Sequence, residues 1–420
     1  MFDQSHIFMD ISRLLSRARN PIPTGIDRVE YEYARYLLAQ EAHRLTFVAF
    51  HPVGLIAHVS TSAVRDFLDV MGPVWDGDTG LRARLPRMAQ RLTQTVLLSR
   101  WTMPAYRGDS IYLLVSHHHL TRPRAIEQFL SRHGSLFVPM VHDLIPIEFP
   151  EYARPGEPER HALRMATVAR LAAGVIVPAH AVARSLAPYL QGRPARDHVH
   201  AVPHGLHLQL SGQGADTMRI PSDGRPYFVC LGTIEPRKNH LLLLNLWRRM
   251  VEDAGPRGSV PRLVLVGRRG WENENILDML ERCPALQGNV LEYNDLSDPE
   301  VVTLLQGSAG LLFPSFAEGF GLPLAEALVL GVPVACSDIP VFHEVAGENA
   351  IYLDPTDGPA WRVAIERLLG QERANDTPVK HGLDLNLFNW PRQVALGIQA
   401  ADQTAAFFSV PGAYDDAPVG

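Results

Sequence analysis

The chain has 420 residues, 46% of them hydrophobic, enough at roughly 150 residues per domain to fill two or three cores. A short disulfide scaffold and a disordered chain are excluded. With 39 Lys and Arg against 45 Asp and Glu, the net charge is -6, which excludes general affinity for nucleic acid through phosphate neutralisation and leaves any anion site a local feature.

Cys230, Cys283 and Cys336 are odd in number, lie far apart and form no Cys-x-x-Cys pair, so they supply neither a zinc set nor a disulfide framework. A reducing cytoplasm is the expected compartment. Met1 to Asp10 lack a basic region followed by an apolar stretch, and no apolar run reaches the roughly 18 to 20 residues that cross a bilayer. At most the chain is expected to rest on a membrane surface.

In chain order, short apolar runs at Ile7 to Met9, Leu45 to Phe50, Ile111 to Val115, Leu136 to Val141 and Val175 to Val177 predict buried strands. Helical patterns separate them, as in Val29, Tyr33, Tyr36 and Leu37, which fall on one face. Residues 70 to 110 are rich in Arg, Gly and Pro, and their weaker periodicity predicts an insertion or mobile segment; Arg82, Arg84, Arg87 and Arg91 form a loose basic cluster that equally suits a solvated helix face. After a polar stretch from His204 to Arg225 the pattern restarts, with strands expected at Tyr227 to Leu231, Leu263 to Val266, Val290 to Glu292, Leu311 to Phe313, Val334 to Cys336 and Ile351 to Leu353. Trp390, Val394 and Ile398 predict a final helix that crosses back onto the first domain. The expected division is 1–205 with a returning helix in 388–420, and 206–387, each an α/β unit with a doubly wound parallel sheet. Ligands of such sheets bind beyond the carboxyl ends of the strands, so two of them facing a central cleft would line it with strand-to-helix loops.

The loop Phe313-Pro314-Ser315-Phe316-Ala317-Glu318-Gly319-Phe320-Gly321-Leu322-Pro323 leaves a strand and enters a helix at about Pro323, a residue suited to a first turn. Free N–H groups there make an anion seat, and glycines admit a ligand close to the backbone. Glu318 before the helix and Glu326 inside it are held at different depths, each able to accept hydrogen bonds from adjacent hydroxyls. A second anion seat is Gly232-Thr233-Ile234-Glu235-Pro236-Arg237-Lys238-Asn239, where Asn239 is expected to cap a helix and Arg237 and Lys238 suit two phosphates. His142 and Asp143 end a strand, where an imidazole can bond a hydroxyl or steady a leaving group. Thr24-Gly25-Ile26-Asp27-Arg28 is a glycine turn before a helix. His117, His118 and His119 leave a strand in alternating directions, so a surface or packing role is expected in place of a metal site. Asp298 is expected to cap the next helix.

Together the Glu318 to Glu326 segment, the Gly232 to Asn239 segment, the His142-Asp143 strand end and the Gly25-Ile-x-Arg-Val turn resemble the retaining GT-B glycosyltransferases of family 4, from about Asp10 to Trp390. The resemblance implies a GT-B fold, a nucleotide-sugar donor held by the second domain and a saccharide or lipid-linked saccharide acceptor held by the first. His142, Glu318, Arg237 and Lys238 would serve catalysis. Glu326 would bond the ribose; Gly319, Phe320, Gly321, Leu322, Thr233 and Asn294 would complete the donor site; Gly25 and Arg28 would form the acceptor or phosphate loop. Thr233 stands where many members carry an arginine, a role that passes to Arg237. No metal or other cofactor is implied, and no Asp-x-Asp ligand pair appears in the readable motifs. The Glu-Pro-Arg-Lys-Asn wording is similar to mannosyltransferases of surface-polysaccharide assembly and implies GDP-mannose, a retaining transfer, and a cytoplasmic protein at the inner face of the plasma membrane. Three rival readings are an epimerase or phosphorylase of the same architecture, a catalytically silent nucleotide-sugar-binding subunit, and a dinucleotide oxidoreductase. The last lacks Gly-x-Gly-x-x-Gly, since Leu324 stands where the third glycine belongs.

Overall fold

The computed structural model describes residues 4–20, 22–99, 109–207, 223–255, 258–370 and 385–409. By its contacts the chain divides into two units, one of residues 1–147, 156–205 and 388–420, the other of 148–155 and 206–387. Residues 148–155, expected with the first domain, join the second: the Tyr152 ring stacks on Phe316 at 5.0 Å, and Arg154 lies over Trp271 at 4.5 Å. The linker expected from His204 to Arg225 falls largely outside the described residues.

The first unit is built on β1 (His6–Asp10), β2 (Leu45–His51), β3 (Leu55–His58), β4 (Ser110–Leu114) and β5 (Ser135–Pro139), in the order β3-β2-β1-β4-β5. All neighbours are parallel except β2 and β3, an antiparallel edge hairpin. Alternation along each strand divides the core between the two faces: Ile7, Met9, Phe47, Ile111 and Leu113 enter one cluster, and Phe8, Val48, Tyr112 and Leu114 the other. Burying side chains of this size contributes roughly 1.5–3 kcal/mol each, which is why apolar runs this short hold as strands. β6 (Val175–Val177) pairs with β7 (Val199–Ala201), and a parallel bridge from Met140 to Ile176 carries the sheet on beyond β5. Neither β3 nor β7 was expected.

Within the segment expected to be an insertion or mobile, residues 70–75 and 85–99 lie in helices Thr61–Trp75 and Leu85–Ser99, and Leu85, Ala89, Leu92 and Val96 place one side of the second helix in the same core as Ile7 and Met9. Residues 100–108 lie outside the described set. The final helix, Trp390–Phe408, packs in this unit through Val394, Ile398, Ala401 and Ala405, and Gly397 admits the Tyr33 hydroxyl where a Cβ would lie 2.1 Å from it.

The second unit is a six-stranded parallel sheet of β8 (Tyr227–Leu231), β9 (Arg262–Val266), β10 (Val290–Tyr293), β11 (Gly310–Phe313), β12 (Val334–Ser337) and β13 (Ile351–Leu353), ordered β10-β9-β8-β11-β12-β13. Helices cover it, among them His240–Ala254, which buries Leu243, Leu244 and Trp247. Among the described residues no helix is long and apolar enough to cross a membrane.

Candidate functional site

In the second sheet the order reverses between β8 and β11: the chain leaves β8 toward β9 on one side and leaves β11 toward β12 on the other. Loops from adjacent strands diverge at such a point and open a crevice. The two loops singled out by sequence are the ones that flank it, and the Phe316 N–H donates to the Arg237 carbonyl at 2.9 Å to tie them together.

Four charged side chains meet there. Lys238 Nζ pairs with Glu318 Oε1, and Arg237 Nη1 lies 2.7 Å from Glu318 Oε2. Arg237 also donates to Glu235 Oε1 through Nε and Nη2, at 3.1 and 2.7 Å, and to the Ala317 carbonyl at 2.6 Å. Burial alone would raise the Glu318 carboxyl, but the Arg237 and Lys238 charges outweigh it and hold the group at about 2. Burial lowers Lys238 and raises Glu235, each opposed by its partners. The cluster is two cations and two carboxylates, neutral as a set, on short loops that leave little room for rearrangement.

The loop after β8 owes its path to glycine. Gly232 has φ 143°, in the region L side chains avoid, and a Cβ on Gly267, in the loop after β9, would lie 1.9 Å from the Gly232 carbonyl oxygen. Ile234 completes the join, donating to the Arg268 carbonyl at 2.8 Å and accepting from Gly270 N at 2.9 Å. Sequence reasoning gave Gly267 and Gly270 no part here, because their role depends on β9 lying next to β8. It also missed Glu235, although that residue stands inside the quoted motif.

Two capping expectations are corrected. Asn239 occupies the N-cap place of helix His240–Ala254, but at φ 56° its amide turns away and donates to the Pro355 carbonyl at 2.8 Å. Asp298 is the first residue inside its helix; Ser297 caps it through a capping box with Glu300.

Helix Leu322–Val329 begins where expected. Gly321 precedes it at φ 94°, against the Phe342 ring, and Phe320 is buried. Glu326 is half-buried on that helix, and Gly319, Leu322 and Thr233 are half-buried in the same two loops or the helix start. Asn294 is not brought to the cluster by its strand: it is exposed just after β10, the edge strand two places from β8.

The first sheet reverses between β1 and β4. At the end of β1, Asp10 accepts from Ser12 N at 2.9 Å and from the Tyr112 hydroxyl at 2.9 Å, and that hydroxyl lies 2.7 Å from His119 Nε2. Burial raises Asp10 and takes the neighbouring Glu30 to about 8. After β4 the three histidines part company: His119 is buried and stacked on Phe50 at 4.9 Å, His118 is exposed, and His117 accepts from His142 N at 3.3 Å. After β5, His142 Nε2 donates to the Val115 carbonyl at 2.8 Å, leaving Nδ1 as its lone-pair nitrogen, and burial lowers the ring to about 4. His161 fixes the same loop, donating to the Asp143 carbonyl at 3.0 Å, while Asp143 itself accepts from Ile145 N. Among the described residues no group of three or more His, Cys, Asp or Glu is arranged to hold a metal ion.

Gly25 begins helix Gly25–Gln40, where Thr24 and Asp27 form a capping box, and the Arg28 backbone N–H bonds the Thr24 carbonyl. Sequence reasoning missed Arg13, which donates to Asp27 at 2.6 Å and to the Thr24 hydroxyl at 3.1 Å, and so brings a cation to this turn.

Residues 219–382 match the family "Glycosyl transferases group 1". The serotype-specific mannosyltransferase WbdA of Escherichia coli is 29% identical over 274 residues, 61% of this chain and 32% of WbdA. O-antigen chain mannosyltransferase B of Escherichia coli is 32% identical over 165 residues, 39% of this chain and 42% of that protein. The chain thus spans about a third of WbdA and less than half of mannosyltransferase B. Among solved structures, sucrose-phosphate synthase of Thermosynechococcus elongatus superposes with a TM-score of 0.64 at 16% identity, covering 95% of this chain and 99% of that one. HepE of Anabaena, in complex with UDP-glucose, gives 0.60 at 15% identity, covering 95% and 98%. The fold is therefore GT-B, and residues 219–382 are similar to the glycosyl transferases group 1.

Proposed function

We propose that the protein is a retaining glycosyltransferase that moves mannose from GDP-mannose to a saccharide or lipid-linked saccharide acceptor in surface-polysaccharide assembly, as a cytoplasmic protein at the inner face of the membrane. The family match over the second unit and the mannosyltransferase relatives support this reading. The observation that carries it is the Arg237, Lys238 and Glu318 cluster at the reversal point of the second sheet.

Cleavage of a sugar-phosphate bond leaves charge on the diphosphate, and Arg237, Lys238 and the N–H groups entering helix Leu322–Val329 are the donors of this unit suited to receive it. Glu326 bonds the ribose hydroxyls. Glu318, with the Gly319 to Leu322 backbone, holds the sugar. Two cations on Glu318 make it a weak base and a poor covalent nucleophile. The bond from the anomeric carbon to phosphate therefore breaks as the bond to the acceptor oxygen forms on the same face, and the acceptor proton passes to the departing phosphate. His142 presents Nδ1 to a sugar hydroxyl from the first unit, which takes the acceptor with Gly25 and Arg28.

A thermal-shift screen against GDP-, UDP-, ADP- and dTDP-sugars tests the reading, since a donor at a hundred times its dissociation constant stabilises by about 2.7 kcal/mol. GDP-mannose should give the largest shift. A larger shift with another base would correct the donor, and no shift with any would remove the proposal.

A further inference from the structure

Helix Leu85–Ser99 carries a feature that the site does not use. Between Asp78 and Ser99 the sequence has four arginines, no lysine and no acid, in a chain whose net charge is -6. Arg82 and Arg84, just before the helix, and Arg87 and Arg91 within it are all exposed, and among the described residues none pairs with a carboxylate. Leu98 is 74% exposed and Leu97 41%. Arg87, Arg91 and Leu98 are spaced by four and seven residues and share one helical stripe, directed away from the core-facing Leu85, Ala89, Leu92 and Val96. Because those four residues are locked in the core, the helix cannot roll to hide Leu98. The Ser99 hydroxyl, bonded to the His58 carbonyl at 2.6 Å, anchors its end.

We infer that the outward face of helix Leu85–Ser99, with Arg82, Arg84, Arg87, Arg91, Leu97 and Leu98, docks on a membrane rich in anionic lipid. Arginines gain from the negative surface, and the bare leucines gain by entering the boundary between headgroups and acyl chains. A soluble polyanion such as nucleic acid satisfies the arginines and offers the leucines nothing, so the combination selects a lipid surface. The docking depends on the proposed function only for its purpose, the meeting with a lipid-linked acceptor.

Co-sedimentation with vesicles of phosphatidylcholine, with and without phosphatidylglycerol, tests it. The protein should bind the anionic vesicles alone, and less as salt rises. Arg87→Glu with Arg91→Glu should weaken binding by about thirtyfold or more, given the usual contribution of each basic residue near such a surface. Leu98→Ser should weaken it severalfold. Both variants should keep the wild-type melting temperature and, on a water-soluble acceptor, its turnover. Equal binding to neutral vesicles, wild-type binding by the double variant, or wild-type vesicle binding by Leu98→Ser with heparin bound equally well would each overturn it. A protein that binds anionic vesicles yet transfers no sugar contradicts the proposed function and leaves the docking surface standing.

Discussion

The two units share an architecture and differ in what they hold at the point where strand order reverses. In the second, Glu235, Arg237, Lys238 and Glu318 are charged and mutually compensated, and Glu318 stays ionised down to about pH 2. In the first, burial disfavours charge: Asp10 and Glu30 are raised, and His117, His142, His161 and His204 are all lowered. One place gathers paired charges, and in the other burial works against charge, with Arg13 and Arg17 paired to Asp27 beside it. On the proposed function, the same sheet serves a diphosphate in one unit and hydroxyls in the other, according to the side chains on two loops.

The most severe break in this contrast is Glu318→Ala, which leaves two nearly buried cations without their shared counter-charge. It should cost about 3 kcal/mol of stability in urea unfolding, whereas the loss should be small in the double variant that also carries Lys238→Ala. Gly267→Ala forces the loop after β8 off its backbone contact, with a cost of about 2 kcal/mol and weaker donor binding. Lys238→Ala should lower turnover tenfold or more, a barrier rise of about 1.4 kcal/mol.

The smallest effect sharpens the comparison from the other side. Glu30 titrates at about 8 when folded, against an ordinary value of 4.5, so the native state holds the extra proton and stability falls as pH rises between these values. Glu30→Gln should remove that slope, so that paired thermal melts show the wild type losing stability from pH 5 to pH 8 and the variant losing less. The histidines act in the opposite direction. Their lowered values mean that the unfolded chain takes up protons first, so stability should fall as pH drops from 6.5 toward 4, where the shift of His142 is exhausted.

The sequence made the strands legible because parallel strands covered on both faces read as continuous apolar runs; β3 and β7, at the margins of their sheets, have no such run. Helix Leu85–Ser99 was obscured by its Arg and Pro content, although Leu85, Ala89, Leu92 and Val96 already stood at helical spacing. Within the site, the members of each loop could be read, since they are contiguous. The pairing of Glu318 with Lys238, 80 positions earlier, could not, because it follows from β8 and β11 being neighbours. The same holds for Gly267 and for the turned amide of Asn239, whose roles depend on what lies across from them.

Calorimetric titration of GDP-mannose into the wild type, Lys238→Ala and Glu326→Ala tests the central claim most directly. The account predicts measurable binding by the wild type and at least tenfold weaker binding by each variant, close to 1.4 kcal/mol apiece. Variants that bind the donor as tightly as the wild type would contradict it.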